Sequence, residues 1–433
     1  MLPLKWKALY FSCLLLITVV HGKGQSILFS HLNSSDGLSD NYARSIAIDN
    51  NGFLWIGTSN GLNMYDGATI TTFFREQQPC MASNVIAHLL CDSHNRIWMG
   101  TSKGATWIDA NREFHRVKLR DSVLQFHCPS IYETAAYGTI LYTSSGQYFF
   151  DSTRKKWWPI DWIPASLRQL HFVDAEPFSN NAIIFALDSV VAILDYATRR
   201  IVYQQVFQQP VSACPVSQRE IAIGLQFGQV LIVDIESGKT VRQYNLTNEL
   251  NGKAINTHLT EVRRAANGDL LVATDFAGLI IIGKAGNITR QTHDPINAGS
   301  IAANNTYRAF AGKKGEVVVG TYTSGVSMGN IFNKPAGYTR IFKDEKGNLF
   351  DNYLNKIAEE GNGVFWIGSY DRLIRWNRKT NQSTFYYYYF QGPMGVRTLE
   401  IRALCNTTNG VLLAGLMGNG LCVFDKGLSL IHI

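Results

Sequence analysis

The sequence contains few charged residues, and it has no block of charge of either sign. Of its 433 residues, 17% are charged and 11 are proline, whereas 37 are glycine and 12% are aromatic. This composition is too apolar for a disordered chain and too rich in turn formers for a helical bundle. The net charge of +7 is spread along the chain without a dense Lys or Arg run. We therefore expect a folded chain that binds no nucleic acid.

Long apolar runs are absent from the body of the chain. The run near the N-terminus, Leu9 to Val20, follows Lys5 and Lys7 and precedes Gly22, a small residue suited to cleavage. These features predict a signal peptide at residues 1–24. An uncleaved anchor is the alternative, although the run is short of the ~20 residues that a membrane-spanning helix needs. We expect a soluble body in the periplasm or outside the cell.

The cysteines and histidines lack the spacing of a metal or redox site. Six cysteines follow the predicted signal peptide without a C-x-x-C pair, and the ten histidines show no H-x-x-x-H spacing. We expect the cysteines to act as small apolar strand residues, while an oxidising compartment leaves one disulfide of unknown pairing open. No metal and no cofactor is predicted.

A repeat runs through the chain. It is clearest in SIAIDNNGFLWIGTSNGLNMYD (residues 45–66) and AHLLCDSHNRIWMGTSKGATWID (residues 87–109), in which Trp55 and Trp98 are 43 residues apart. Weaker copies follow at residues 140–151, 183–195 and 221–234, and stronger ones return at residues 267–282, 314–328, 362–377 and 409–425. Repetition at roughly 40–50 residues indicates a solenoid, a propeller or an array.

Each copy has the pattern of four antiparallel strands. In the first copy, residues 45–48 alternate between apolar and small or polar side chains, and residues 49–52 form an Asn/Gly turn. Residues 53–58 are almost continuously apolar, as in a strand buried on both faces. Further strands are expected at residues 62–65 and 69–74. Four strands in about 43 residues predict a β-propeller blade, whereas an array of β-sandwiches would not explain a fixed four-strand unit.

The first copy carries the motif of a known repeat. The motif comprises a Gly-Leu-Ser start, Asp-x-x-Gly, Trp-Ile-Gly-Thr, Gly-Leu and Tyr-Asp, here at residues 37–39, Asp49 and Gly52, Trp55 and Gly57, Gly61, and residues 65–66. It closely resembles the regulator-propeller repeat in the periplasmic sensor of Bacteroidetes hybrid two-component sensor histidine kinases. Trp98 and Gly100 match it in the second copy, and Trp366 and Gly368 match it in the eighth.

The resemblance implies an architecture and a ligand class. In that family, two seven-bladed propellers precede an immunoglobulin-like domain, a transmembrane helix, a kinase, a receiver and a DNA-binding domain, and the ligands are oligosaccharides. We expect one ring over residues 25–335, closed by an outer strand at residues 26–32, and the first two blades of an incomplete second propeller over residues 336–433. The kinase boxes are absent, so we expect a truncated sensor: a fragment, an interrupted frame or a split gene.

The expected ligand site lies in loops at one face of the ring. The loops before the first strand of each blade share that face with the loops between strands two and three. Candidate residues at or beside the start of the first strands are Tyr42, Arg44, Tyr307, Asn355 and Arg402. Tyrosine rings stack on sugars, and a guanidinium pairs with carboxylate or sulfate. We expect an oligosaccharide ligand, with the remaining sensor-kinase region or a second copy as a further partner.

An enzyme is the less favoured interpretation. Asp49-x-x-Gly52-x-x-Trp55 is similar to the Asp-box of sialidases, but Asp-boxes are structural turns, and no arginine cluster accompanies this one. Residues 325–329 match G-x-S-x-G, yet they lack the following helix that a nucleophile elbow needs. We predict a non-catalytic glycan-sensing propeller, with a secreted scaffold or protein-binding module as the alternative and a sialidase-like hydrolase third.

Overall fold

The computed structural model describes residues 27–119, 125–151, 156–250, 253–333, 341–343, 349–351, 354–370, 372–380, 382–387, 390–392, 395–397, 400–407, 409, 411–418, 420–425 and 429–432. The predicted signal peptide lies outside these residues. The described chain is all-β, apart from a 3-10 turn at Ser34–Asp36 and an α-helical turn at Ala165–Arg168. No helix in these ranges is long and apolar enough to cross a membrane.

Nine four-stranded antiparallel sheets occur in the described ranges, and each is a blade with strands a to d. In that order, blade 1 comprises Ala43–Ile48, Leu54–Thr58, Gly61–Tyr65 and Ile70–Phe73. Blade 2 comprises Ile86–Cys91, Ile97–Thr101, Gly104–Ile108 and Phe114–Arg116. Blade 3 comprises Ser130–Thr134, Gly138–Thr143, Gly146–Asp151 and Lys156–Pro159. Blade 4 comprises Phe172–Pro177, Ala182–Leu187, Val190–Asp195 and Arg200–Val206. Blade 5 comprises Pro210–Pro215, Glu220–Leu225, Gln229–Asp234 and Thr240–Asn245. Blade 6 comprises His258–Arg264, Leu270–Asp275, Leu279–Ile282 and Ile288–Gln291.

The remaining strands complete three blades and three hairpins. Blade 7 comprises Thr306–Ala311, Glu316–Thr321, Val326–Asn330 and, as strand d, Ser30–Leu32. Blade 8 comprises Leu354–Gly361, Val364–Ser369, Arg372–Asn377 and Gln382–Tyr387. Blade 9 comprises Ile401–Asn406, Leu412–Leu416, Gly420–Asp425 and Ser429–His432. The hairpins are Thr247–Leu250 with Lys253–Asn256, Ile341–Lys343 with Leu349–Asp351, and Phe390–Gly392 with Gly395–Arg397.

Blades 1 to 7 form a closed ring. Their a strands contact one another in order, and strand a of blade 7 contacts strand a of blade 1. The ring is closed by Ser30–Leu32, which pairs with strand c of blade 7 so that Leu32 lies opposite Val326. This strand is shorter than the predicted 26–32, and Ile27 and Phe29 before it are buried in an apolar cluster. The predicted propeller fold is confirmed; that blades 8 and 9 begin a second propeller stays a prediction.

The apolar core lies between neighbouring blades. Strand b of blade 1, Leu54–Thr58, is buried throughout, as its continuous apolar pattern predicted. Gly57 in this strand allows the next blade to approach, because a Cβ there would lie 2.5 Å from Ile86 Cγ2. The same constraint applies at Gly100, where a Cβ would lie 2.5 Å from the Cys128 carbonyl oxygen, and it applies at Gly368. These glycines are therefore required for blade packing.

The aspartate of the repeat motif organises the a–b turn. The Asp49 carboxylate accepts hydrogen bonds from Trp55 Nε1 at 3.0 Å and from the Phe53 backbone N–H at 2.9 Å. Gly52 occupies the left-handed region in this turn, with φ of +89°. Asp92 accepts the Trp98 indole proton in the same way at 2.7 Å. The Asp-to-Trp motif is therefore a structural turn, as the sequence predicted.

Blade 8 departs from this turn. Glu360 precedes Trp366 by six residues, where blades 1 and 2 have aspartate, and it pairs with Arg375 at 2.7 Å. The buried Trp366 Nε1 has no hydrogen-bond acceptor among the described residues. The indole still packs against Tyr386 and Phe424, so Trp366 retains its place in the core between blades 8 and 9.

Candidate ligand site at the upper face of the ring

One end of the ring, termed the upper face, carries the d–a and b–c loops. Backbone hydrogen bonds join the two kinds of loop at several blades. The Gly61 N–H donates to the Asn84 carbonyl at 2.7 Å, and the Gly325 N–H donates to the Asn41 carbonyl at 2.9 Å. Gly61, a predicted repeat residue, has φ of +128°, a value that favours glycine. The loops of the upper face are thus held by the scaffold beneath them.

A β-bulge recurs near the start of strand a. The pairing of strands a and b shifts register in eight of the nine described blades, with blade 3 as the exception. The unpaired residues at these bulges include four of the predicted ligand-binding residues: Arg44, Tyr307, Asn355 and Arg402. Bulges redirect side chains and are common beside binding sites.

Three tyrosines meet where blade 7 adjoins blade 1. The ring centroid of Tyr42 lies 5.2 Å from that of Tyr307 and 5.0 Å from that of Tyr322, and the last two are 5.0 Å apart. Burial raises the pKa of Tyr322 to about 12 and also raises that of Tyr42. Both hydroxyls therefore remain protonated near neutral pH. The sequence analysis missed Tyr322, although its place in a b–c loop was an available signal.

Arg44 lies beside this tyrosine cluster (Tyr42, Tyr307 and Tyr322). Its guanidinium carbon is 5.2 Å from the centre of the Tyr42 ring, a cation–π arrangement. Among the described residues no carboxylate pairs with Arg44, and its buried Nε has no hydrogen-bond acceptor. An unpaired cation among aromatic rings can bind an anionic ligand group or donate hydrogen bonds to a polar one.

The other two predicted residues meet in a different pair of blades. Asn355 Nδ2 donates a hydrogen bond to Glu400 Oε1 at 2.8 Å, and Arg402 pairs with Glu400 Oε2 at 2.9 Å. The polar groups of Asn355 and Arg402, which the sequence predicted to bind a ligand, are thus bonded to Glu400. Tyr353, which the sequence places near Asn355, lies outside the described residues.

The residues that follow the bulges line a central channel. In blades 1, 2, 6 and 7 they are Ser45, His88, Glu261 and Arg308, and all four border a cavity of about 260 Å³. Some also connect neighbouring blades. Ser45 Oγ accepts the Leu89 backbone N–H at 2.8 Å, and Glu261 Oε2 accepts that of Ala309 at 2.5 Å. This pattern was not predicted from the sequence, although the bulge recurs at the same place in eight of the nine described blades.

A buried ion network crosses the channel. Arg263 lies 2.8 Å from Asp174, 2.7 Å from Glu261 and 3.3 Å from Glu176, and Arg308 lies 2.8 Å from Glu261. Burial tends to raise the pKa of Asp174, but the two guanidiniums keep it below its ordinary value. Burial raises the pKa of Glu176 to about 7. Because these groups compensate one another across blades 4, 6 and 7, we interpret the network as structural.

The comparisons with known proteins agree with this architecture. A model of the two component regulator propeller family matches residues 37–60. The chain carries a regulator-propeller repeat. The matched residues include Asp49, Gly52, Trp55 and Gly57, so the resemblance inferred from the sequence is confirmed. No curated protein sequence matches the chain.

Solved structures share the fold of this chain. The extracellular domain of the hybrid two component system BT3049 from B. thetaiotaomicron has 16% identity and a TM-score of 0.61, covering 94% of this chain and 55% of its own. The extracellular domain of BT4673 has 17% identity and a TM-score of 0.55, and the match covers 94% of this chain and 53% of that domain. The chain spans about half the length of these domains. Virginiamycin B lyase from Staphylococcus aureus has 12% identity and a TM-score of 0.51, with 71% and 100% coverage.

Two motifs that suggest chemistry are structural in this chain. The G-x-S-x-G sequence lies largely in strand c of blade 7, where Ser327 Oγ accepts the Ala302 backbone N–H at 2.9 Å. Asp92, His94 and Glu133 have ligand atoms close enough for a metal. The Asp92 carboxylate, however, already binds Arg96 at 2.6 Å and the Trp98 indole.

Proposed function

We propose that this regulator propeller is the ligand-sensing part of an exported two-component sensor and binds a carbohydrate without catalysis. The matched family model and the shared fold with extracellular domains of hybrid two-component systems support the sensor assignment. The predicted signal peptide supports export to the periplasm. In such a system the propeller supplies recognition, and a membrane-bound kinase region transmits the signal.

The tyrosine cluster beside unpaired Arg44 is the observation that carries the carbohydrate proposal. Tyrosine combines a flat apolar ring, which stacks on the C–H face of a sugar, with a hydroxyl that hydrogen-bonds sugar oxygens. The three rings pack against one another, so little side-chain entropy is lost on binding. Tyr42 and Tyr322 lie in loops, while Tyr307 is a bulge residue on a strand.

A ligand screen tests this function. The purified chain is scanned for thermal stabilisation by a panel of neutral and acidic oligosaccharides from plant and host glycans, and each hit is measured by calorimetry. We expect at least one hit, and we expect Tyr307→Ala to weaken it about tenfold or more, the equivalent of ~1.4 kcal/mol. Tyr65→Ala at the opposite end of blade 1 is the control and should bind normally. A panel without any hit, or unchanged binding by Tyr307→Ala, contradicts the proposal.

A further inference from the structure

A polar cleft adjoins the tyrosine cluster on the upper face. Its volume is about 490 Å³, within the ~300–1,000 Å³ of typical ligand pockets. Three loops form its walls: the d–a loop from blade 6 to blade 7, the loop that leads into blade 1, and the b–c loop of blade 7. Representative lining residues of these loops are Asn297, Ser300, Asn33, Asn41, Thr323 and Ser324.

The cleft and the tyrosine cluster adjoin along two loops. Asn41 in the cleft precedes Tyr42 in the cluster, and Thr323 in the cleft follows Tyr322. Consecutive Cα atoms are ~3.8 Å apart, so the two sites meet on two separate loops. The hydrogen bond from the Gly325 N–H to the Asn41 carbonyl joins these loops at that boundary. A ligand that contacts both sites must therefore be longer than one sugar ring.

The cleft offers neutral hydrogen-bonding groups. Its side chains are mainly hydroxyls, amides and imidazoles, and Asp294 is the one formally charged side chain among the described lining residues. Burial lowers the pKa of His31, so that imidazole is neutral near pH 7. Because the described lining has one carboxylate and no cation, the cleft disfavours an anionic ligand. Its hydroxyl and amide groups suit the hydroxyls of a neutral sugar.

The walls of the cleft are held in place by local hydrogen bonds. Asn41 Oδ1 accepts the Ser34 backbone N–H at 2.8 Å, and Ser300 Oγ accepts that of Asp294 at 2.9 Å. His31 Nε2 contacts the Ala298 carbonyl at 3.2 Å and so connects the strand that closes the ring to the blade 6 loop. A site built this way needs little ordering when a ligand binds.

The geometry points to an oligosaccharide with asymmetric charge, whose acidic group lies at Arg44 and whose neutral sugar residue lies in the cleft. This inference rests on the proposed function and specifies its ligand class. Arg44 is an unpaired cation beside Tyr42, whereas the adjoining cleft is uncharged except for Asp294. A uniformly acidic ligand would bring an anion to that carboxylate, and a wholly neutral one would leave Arg44 unpaired.

Two pairs of probes test the inference by calorimetry: 3′-sialyllactose with N-acetylneuraminic acid, and glucuronoxylotriose with glucuronic acid. In at least one pair, the oligosaccharide should bind about tenfold more tightly than its acidic monosaccharide. Ser324→Trp, which fills the cleft, should remove this difference without changing monosaccharide binding. Arg44→Ala should weaken both members of the pair.

Asn60→Trp is the matched control for the cleft variant. Asn60 and Ser324 each precede the glycine of a b–c loop, and each backbone N–H donates to the threonine that ends strand b, at 3.1 and 2.8 Å. Asn60→Trp should keep the full difference in affinity. If Ser324→Trp fails to fold, Ala298→Trp on the opposite wall replaces it.

The outcomes separate this inference from the proposed function. Equal affinity for the two members of each pair, or a difference that survives both cleft variants, overturns the neutral subsite. Binding of neutral oligosaccharides alone overturns the charge asymmetry but leaves the carbohydrate function intact. If no carbohydrate binds at all, both the inference and the proposed function fail.

Discussion

The Arg263 guanidinium lies 2.8 Å from the Asp174 carboxylate, although the two residues are 89 positions apart and belong to blades 6 and 4. The same guanidinium lies 2.7 Å from Glu261, and it is largely buried. Asp174 and Glu261 inside the ring are thus compensated by this guanidinium, with Arg308 as the second cation beside them.

Arg263→Ala should destabilise the ring strongly. Removing one partner of a buried ion pair leaves uncompensated charge, which costs about 3–5 kcal/mol. Urea denaturation followed by tryptophan fluorescence measures the free energy of unfolding. Arg264→Ala, an exposed neighbour on the same strand, should change it by less than about 0.5 kcal/mol. Equal losses in the two variants would contradict the role assigned to the network.

Glu176 should make the ring less stable as the pH rises toward neutrality. Its folded-state pKa of about 7 exceeds the ordinary 4.5 because burial penalises the charged form. Between these values the folded protein binds more protons than the unfolded chain, so stability falls as pH rises through about 4.5 to 7 and levels off above.

Glu176→Gln tests this pH dependence. Relative to the unsubstituted protein, the variant should gain about 1–2 kcal/mol of stability between pH 5 and pH 7.5, because it no longer ionises. Thermal and urea unfolding at several pH values provide the measurement. Parallel stability curves for the two proteins would show that Glu176 does not titrate in this range.

Gly57→Ala should loosen the contact between blades 1 and 2. The added Cβ would lie 2.5 Å from Ile86 Cγ2, and overpacking of this kind costs about 1–3 kcal/mol. The same substitution made in an Ile86→Ala background should cost less, because the contact with Cγ2 is removed and only the Ile86 Cβ, at 2.8 Å, remains close. A double-mutant cycle measures the coupling, and additive losses would exclude the steric explanation.

Asp49→Ala should destabilise blade 1 by about 1–3 kcal/mol, because it leaves the buried Trp55 indole and turn N–H groups without their acceptor. Asp66→Ala is the control: Asp66 accepts the Ala68 and Thr69 N–H groups in an exposed turn. Its loss should be clearly smaller. Comparable unfolding midpoints for the two variants would argue against a special role for the indole contact.

The candidate ligand site was only partly predictable. Tyr42, Arg44 and Tyr307 were found because repeat alignment marks the start of strand a, and the structure brings these three together. Asn355 and Arg402 satisfy the same alignment, yet Glu400 occupies their polar groups. Alignment identifies a position in the blade, but it contains no information on which side chain a neighbouring blade supplies.

The sequence by itself determined the blade, because each blade is a local unit. Asp49 reaches Trp55 across six residues, and Gly57 precedes Gly61 by four, so a repeated motif was enough to reveal the turns and strands. Only the tertiary structure decided what ring closure brings together. Tyr42 meets Tyr322, and Asp174 meets Arg263, through contacts between blades distant in sequence. Such contacts depend on which blades ring closure brings together and on bulges that redirect individual side chains, and the local motif of a single blade specifies neither.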